Sequence, residues 1–252
     1  VTVEQLGMVV VPGAAIPTGS PIYFLRETIP ANGVLEVPEC AAQGVFAATI
    51  VEGVNTLHRP DATRVWRGDG TVEDVPADTD MTLAAGDSYL ALAPAPASTS
   101  AASGTEPAVM LAVGSSADTT GSCDAPIVPP GYKVALLATL FQADWAQSGL
   151  GAQGEIVVTF QRTTLAPGAM LVSTSTDPVI MRFVESGRLT ETHRTVGSAT
   201  PTSQVVRTQN PTIHWSPLAP DEEIVLSNEE TEPAVLLEVV MTPADANATP
   251  AA

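Results

Sequence analysis

Lysine is all but missing from this chain. Of 252 residues, Lys133 is the single lysine, and ten basic residues stand against 28 acidic ones, for a formal net charge of −18. A surface of that sign repels phosphate backbones and anionic lipid headgroups, which excludes nucleic acids and acidic membranes as partners. Long apolar runs are absent too. The stretch Val134 to Leu140 falls far short of the roughly 20 residues a helical membrane span needs, so no membrane insertion is expected. Cysteine occurs twice, at Cys40 and Cys123, with no C-x-x-C pair, which excludes a zinc knuckle. The acids are scattered with no D-x-D-x-D-G loop for calcium, and there is neither a G-x-S-x-G nucleophile elbow nor a glycine loop of the phosphate-cradling kind.

What is present is apolar and strand-forming. Hydrophobic residues make up 44% of the chain, enough to bury a sizeable core. Val, Ile, Thr and Leu dominate, Pro and Gly recur at short intervals, and few windows show helical periodicity, which predicts many short strands in a sandwich or barrel. Val134 to Ala146 fits either a short helix or a strand, and its place in the repeat described next favours a strand.

The sequence repeats itself. Thr28-Ile-Pro-Ala-Asn-Gly33-Val-Leu35 resembles Thr164-Leu-Ala-Pro-Gly168-Ala-Met-Leu171. Each block leads to an apolar strand ending near a glycine, Ala47 to Gly53 and Met181 to Gly187. A His-Arg pair follows, His58-Arg59 and His193-Arg194. Each unit closes on the same words, Glu106-Pro-Ala-Val-Met-Leu111 and Glu232-Pro-Ala-Val-Leu-Leu237. Four landmarks in one order mark a duplication. Unit 1 spans 1–113, a linker rich in Ser, Thr, Asp, Pro and Gly spans 114–131, unit 2 spans 132–242, and a Pro/Ala-rich tail spans 243–252. The low-complexity stretch from Pro94 to Thr105 is expected to be a lengthened surface loop.

The two blocks resemble the first motif of the cupin superfamily, G-x5-H-x-H-x3/4-E-x6-G. In unit 2 the spacing runs from Gly168 through Thr174, Thr176 and Ile180 to Gly187. In unit 1 it runs from Gly33 through Glu39, Ala41 and Phe46 to Gly53. Leu83-Ala-Ala-Gly86-Asp87 is similar to the start of the second motif, and Asn228 to Ala234 to its end. The resemblance implies an all-β fold of two tandem cupin-like double-stranded β-helix (jelly-roll) barrels. It also implies a metal held by imidazoles and a carboxylate. Here hydroxyls, Ile180, Ala41 and Phe46 stand at those positions as poor ligands or none, Glu39 alone could coordinate, and one carboxylate does not hold a transition metal, so a metal-free protein with no cofactor is expected.

Arg182 is the sharpest candidate. Residues two apart share a strand face, so Arg182 and Val184 follow Ile180 into the barrel, where unit 1 has Ala48 and Ile50. An inward arginine beside Thr174 and Thr176 has the planar fork that a carboxylate or sugar acid accepts. The competing arrangement is a buried arginine paired to an acid such as Glu223, or one turned outward by a β-bulge. His58, His193 and His214 lack H-x-H or H-x3-H partners and read as surface or core residues. Trp66, Trp145 and Trp215 read as core or rim packing before sugar-stacking platforms. Unit 1, with Phe46, Ala48 and Ile50 facing in, is expected to be a closed structural barrel.

The reading that results is an exported, non-catalytic binding protein for a small polar or anionic ligand at Thr174, Thr176 and Arg182. Export, to the medium or the cell surface, rests on the missing initiator Met and the tail; given export, a Cys40–Cys123 disulfide is expected, worth about 4–5 kcal/mol in the chain-entropy model. The rivals are an extracellular structural protein polymerising as homo-oligomers through its termini and sheet edges, and an enzyme whose active site the sequence does not reveal.

Overall fold

The computed structural model describes residues 1–17, 20–39, 44–92, 96–116, 124–150, 154–174, 178–198, 200–208, 212–213 and 221–244. The chain enters on β1 (Thr2–Pro12), turns at Gly13–Ala15, and continues through β2 (Ile22–Ile29), β3 (Val34–Val37), β4 (Gly44–Glu52) and β5 (Val54–Arg59). Next come β6 (Thr63–Trp66), β7 (Val72–Val75), β8 (Thr79–Ala84), β9 (Ser88–Leu92), β10 (Ser98–Ala102) and β11 (Ala108–Ser116). After the linker run β12 (Lys133–Leu140), the helix α1 (Gln142–Ser148), β13 (Glu155–Leu165), β14 (Met170–Thr174) and β15 (Val179–Ser186). The last strands are β16 (Arg188–Thr195), β17 (Pro201–Thr208), β18 (Thr212–Ile213), β19 (Glu222–Ser227) and β20 (Ala234–Pro243).

All pairings are antiparallel, and they form two barrels of two sheets each. Barrel 1 has a large sheet ordered β12-β2-β11-β4-β9-β6-β7 and a small one ordered β3-β10-β5-β8. Barrel 2 has a large sheet ordered β1-β13-β20-β15-β18 and a small one ordered β14-β19-β16-β17. The orders correspond as a duplication requires, except that the β6–β7 hairpin extends the large sheet of barrel 1 and has no counterpart in barrel 2 among the described residues.

The first strand of each unit is exchanged. β1 pairs with β13 along its length, from Thr2 opposite Thr164 to Pro12 opposite Glu155, and so belongs to barrel 2. β12 pairs with β2, Lys133 opposite Thr28 and Leu140 opposite Ile22, and so belongs to barrel 1. The two large sheets pack back to back. Val9, Val11, Phe24, Leu111, Val113, Leu140, Phe160, Met181 and Val239 meet there in one core that draws on both units. Each barrel has a further core of its own, around Ile50, Leu57 and Met110 in barrel 1 and around Val184, Leu226 and Leu236 in barrel 2.

Two local expectations are corrected. Val134 to Ala146 is not one strand: β12 ends at Leu140, and α1 follows, closed by Gly149 in the left-handed conformation (φ 69°). Its Trp145 is buried in the shared core. The Pro94–Thr105 stretch is not simply a loop either, because its middle forms β10, the strand joining β3 to β5. Its small residues alternate, with Ser100 and Ala102 buried, and small side chains are what a crowded central strand admits.

The glycine landmarks have a common cause. Gly53 and Gly187 both adopt positive φ (73° and 79°), and a Cβ there would stand 2.3 Å from the Pro107 carbonyl oxygen and 2.8 Å from Ala234 Cα. Each closes a turn against the start of the last strand of its barrel, in a conformation and a space that suit only glycine.

Candidate functional site

Cross-strand register fixes which residues of the two lumens correspond. Met110 lies opposite Glu27 and Ile50, and Leu236 lies opposite Thr163 and Val184. One pair further along, Ala112 faces Ala48 in barrel 1, while Glu238 faces Arg182 in barrel 2. Glu27 therefore corresponds to Thr163, Ala48 to Arg182 and Ala112 to Glu238. In the small sheets, Ser100 lies opposite Leu35 and Leu57, and Leu226 opposite Leu171 and Glu191, so Leu57 corresponds to Glu191. By the same register His193 matches Arg59 rather than His58, one residue away from the sequence alignment.

The lumen of barrel 2 is polar and internally neutralised. Arg182, 2% exposed, shares a face with Val184 and donates from Nε to Glu238 Oε1 at 2.6 Å and from Nη2 to Ser173 Oγ at 3.1 Å. Gln161 Nε2 donates to Glu238 Oε2 at 3.1 Å, and the Thr163 hydroxyl donates to the same oxygen. Glu191 accepts from Arg207 Nη2 at 2.9 Å and meets His193 Nε2 at 2.9 Å. Burial works to raise the pKa of Glu191, but the hydrogen bonds and charges of Arg207 and His193 outweigh it and hold the carboxyl below its ordinary value.

Of the residues that the sequence grouped as a ligand site, the structure places Arg182 inside barrel 2, with Ser173 as its hydroxyl partner. Thr174 follows Ser173 directly, so strand alternation sends it to the opposite face, where its register partner is Glu223. The turn explains the offset. Gly33 N bonds to Pro30 O and Ala169 N to Ala166 O, so Gly33 matches Ala169, and Asn32 (φ 57°) matches Gly168 (φ 73°). Thr176, Cys40, Cys123, His214 and Trp215 lie outside the described residues, as does most of the tail. Glu223 pairs with Arg194, so the acid that meets Arg182 is Glu238. Trp66 and Trp145 pack in the shared core.

Barrel 1 is not closed, contrary to the expectation from its apolar inward residues. Its lumen holds a cavity of about 290 Å³. Phe46, Leu57, Tyr89, Ala91 and Met110 form apolar walls, and Glu27, Arg59, Ser98, Ser100 and Tyr132 bring polar atoms to them. The linker reaches this mouth. Ile127 exchanges backbone hydrogen bonds with Glu36 (3.0 and 2.9 Å), so Pro126 joins the rim. Tyr132, just past the linker, donates its hydroxyl to Glu27 Oε2 at 3.1 Å.

The electrostatics of the cavity follow from burial. Glu27 is 8% exposed, and desolvation raises its pKa, opposed in part by the Tyr132 hydrogen bond. Burial and the nearby Glu27 charge push both Tyr89 and Tyr132 up, so these phenols stay protonated donors. Arg59 is buried but its fork is occupied, with Nε and Nη2 each 2.9 Å from the Asp61 carboxylate. Ser100 exchanges two hydrogen bonds with Asn55 (2.8 and 3.0 Å). Sequence reasoning singled out none of Glu27, Tyr89 and Tyr132. One signal existed: Glu27 sits between Leu25 and Ile29 on one strand face, the pattern that marked Arg182 between Ile180 and Val184.

Two barrels, each of a large and a small antiparallel sheet in matching strand order, stand back to back with their first strands traded. This is the two-barrel, double-sheet architecture that the cupin resemblance implies. No family profile matches the sequence, and no curated protein does. Similar solved structures include a mutant of Bacillus subtilis oxalate decarboxylase, with 13% identity and a TM-score of 0.48 over 96% of this chain and 76% of that one. AerE from Microcystis aeruginosa has 12% identity and a TM-score of 0.44 over 88% of both chains. Procruciferin, the 11S globulin of Brassica napus, has 9% identity and a TM-score of 0.44 over 90% of this chain and 79% of its own.

Among the described residues, neither lumen offers the donor set of the metal that the resemblance implies. Among the described residues no group of three or more His, Cys, Asp or Glu side chains converges. In barrel 1 the described side chains around the cavity are aromatic, aliphatic or hydroxyl-bearing apart from Met110, Arg59 and Glu27, and Glu27 is the single carboxylate among them. In barrel 2 the carboxylates of Glu238 and Glu191 are already held by the guanidinium groups of Arg182 and Arg207. A transition metal needs several imidazole, thiolate or carboxylate donors at once, and these lumens offer one, or carboxylates already neutralised.

Proposed function

We propose that this protein is a binding protein that takes a small molecule into the lumen of barrel 1 without a metal and without transforming it. The observation that carries this reading is the cavity itself, apolar walls with a few convergent polar groups on a rigid barrel, which is the usual form of a small-molecule site. Its volume of about 290 Å³ corresponds to roughly a dozen non-hydrogen atoms, scaling from the ~150 Å³ cavity that holds one benzene. The chemistry around it supports binding over turnover. Ser100 spends its hydroxyl on Asn55, and His58 is engaged with Asp80 at 2.8 Å. Barrel 2, filled by its own ion pairs, acts in this reading as the supporting half. Export is part of the proposal, and appearance of the tagged protein in the culture medium tests it.

Thermal-shift screening with fragments of about this size checks the binding role. Stabilising fragments should lose their effect in an Ala91→Phe variant, whose new ring occupies the cavity. Fragments that stabilise parent and variant equally would place binding elsewhere. A second reading, self-assembly through sheet edges, is favoured by β12, an edge of the large sheet of barrel 1 on which Val134 and Leu136 are 51% and 54% exposed. Light scattering over a concentration series separates the two: growth of the mass with concentration supports assembly, and a constant monomer mass removes it.

A further inference from the structure

Among the described residues, the two lumen carboxylates of barrel 2 each have a guanidinium: Arg182 holds Glu238 and Arg207 holds Glu191. Glu27, facing the lumen of barrel 1, has no cationic partner within ion-pair distance among the described residues and accepts one hydrogen bond, from Tyr132. We infer that the ligand of barrel 1 is a small organic cation, an ammonium-type group seated against the Glu27 carboxylate with an apolar body against Phe46, Tyr89 and Met110. The inference rests on the cavity-binding reading above and names its ligand class.

Three observations converge on that charge. A carboxylate withdrawn from water is costly unless paired, and a ligand cation supplies the missing pair inside the cavity. The same cavity is lined by three aromatic rings, Phe46, Tyr89 and Tyr132, whose faces attract cations. Phe46 and Tyr89 lie 6.2 Å apart at 44°, so they form an angled wall in place of a stack. Finally, a net charge of −18 draws cations toward the molecule and repels anions. Arg59 is the one cationic side chain lining the cavity among the described residues, and its charge is paired through Nε and Nη2 to the Asp61 carboxylate.

The pairing has a proton signature. Burial raises the pKa of Glu27, so at acid pH the empty cavity holds a neutral carboxylic acid. The other ionisable groups around it are Tyr132, Tyr89 and the Arg59–Asp61 pair. A cation needs the ionised form, so cation affinity falls as pH is lowered through the raised pKa of Glu27, and binding in that range releases a proton.

Titration calorimetry with phenethylamine, phenethyl alcohol and phenylacetate, which share one apolar body, tests this. The expected order is amine first, by about tenfold over the alcohol, with phenylacetate weakest. The amine advantage should shrink as the pH falls, with proton release visible as a dependence of the heat on the buffer. Glu27→Gln should bring the ratio of amine to alcohol affinities to about one. If the alcohol or phenylacetate binds as well as the amine, the cationic assignment fails while the cavity reading stands. If none of the three binds in a way that Ala91→Phe blocks, the cavity reading fails with it.

Discussion

Glu27 shows how one buried charge sets both a cost and a use. Its folded pKa lies above the ordinary carboxyl value of 4.5, so the folded state holds the proton more tightly than the unfolded chain does. The stability linked to that proton is fully present below about pH 4.5 and is lost as the pH rises through the raised value. Gln keeps the acceptor for Tyr132 and cannot ionise. Glu27→Gln should therefore melt higher than the parent at neutral pH, with the difference closing in acid, as calorimetric melts at several pH values would show. Glu191 has the opposite sign. Its lowered pKa gives stability above the unfolded value that is lost as pH falls through the folded one, so it adds to acid unfolding. Arg182 offers a third case. Arg182→Met strands the Glu238 carboxylate at 1% exposure with only Gln161 and Thr163, which should cost about 3–5 kcal/mol in denaturant unfolding. The double variant Arg182→Met, Glu238→Leu should recover most of that loss, because no buried charge remains unpaired.

At the scale of strands, β1 is where the barrels are joined most tightly. Its ladder to β13 shifts register between Gln5 and Gly7, and at that bulge it bonds to barrel 1: Thr49 Oγ1 donates to Leu6 O at 3.2 Å and Met8 N donates to Ser88 Oγ at 3.2 Å. A Cβ on Gly7 would stand 2.0 Å from Thr49 Oγ1. Gly7→Ala should accordingly cost about 1–3 kcal/mol, read as a lowered denaturation midpoint. Strands also show what could be read in advance. Alternation placed Arg182 inward because Ile180 and Val184 flank it, and the pattern of landmarks recovered the duplication. The acid partner was out of reach, since Glu238 meets Arg182 through a register across 56 residues of chain that no local pattern encodes. Thr174 was placed one residue out because glycine was matched to glycine, whereas the turn matches Asn32 to Gly168 through their positive φ. β10 was hidden because Ser-Thr-Ser-Ala-Ala has the composition of a loop, and only its neighbours make it a strand. The cavity was illegible for a related reason: it is lined by residues whose number and size matter jointly, from seven strands and a linker.

For the whole molecule, the traded strands and the shared core bind two barrels into one cooperative unit. A single calorimetric transition is expected, with no separate melting of either half. A fragment spanning 132–252 would lack β1, leaving the β13 edge and the apolar face of its sheet bare. It should aggregate or dimerise, and adding a peptide of residues 1–13 should return it to a monomer by refilling the place of β1. If the fragment alone melts as a stable monomer, the barrels are more independent than their shared core implies.

The pairing of Thr2 with Thr164 also sets a schedule for synthesis. At ribosomal speeds of about 5–20 residues per second, β1 waits roughly 10–30 seconds for its partner to emerge. Through that interval a strand rich in valine is exposed with no ladder to join. β1 therefore stays unpaired while the rest of barrel 1 is made, and whatever shields it governs how much protein reaches the native state.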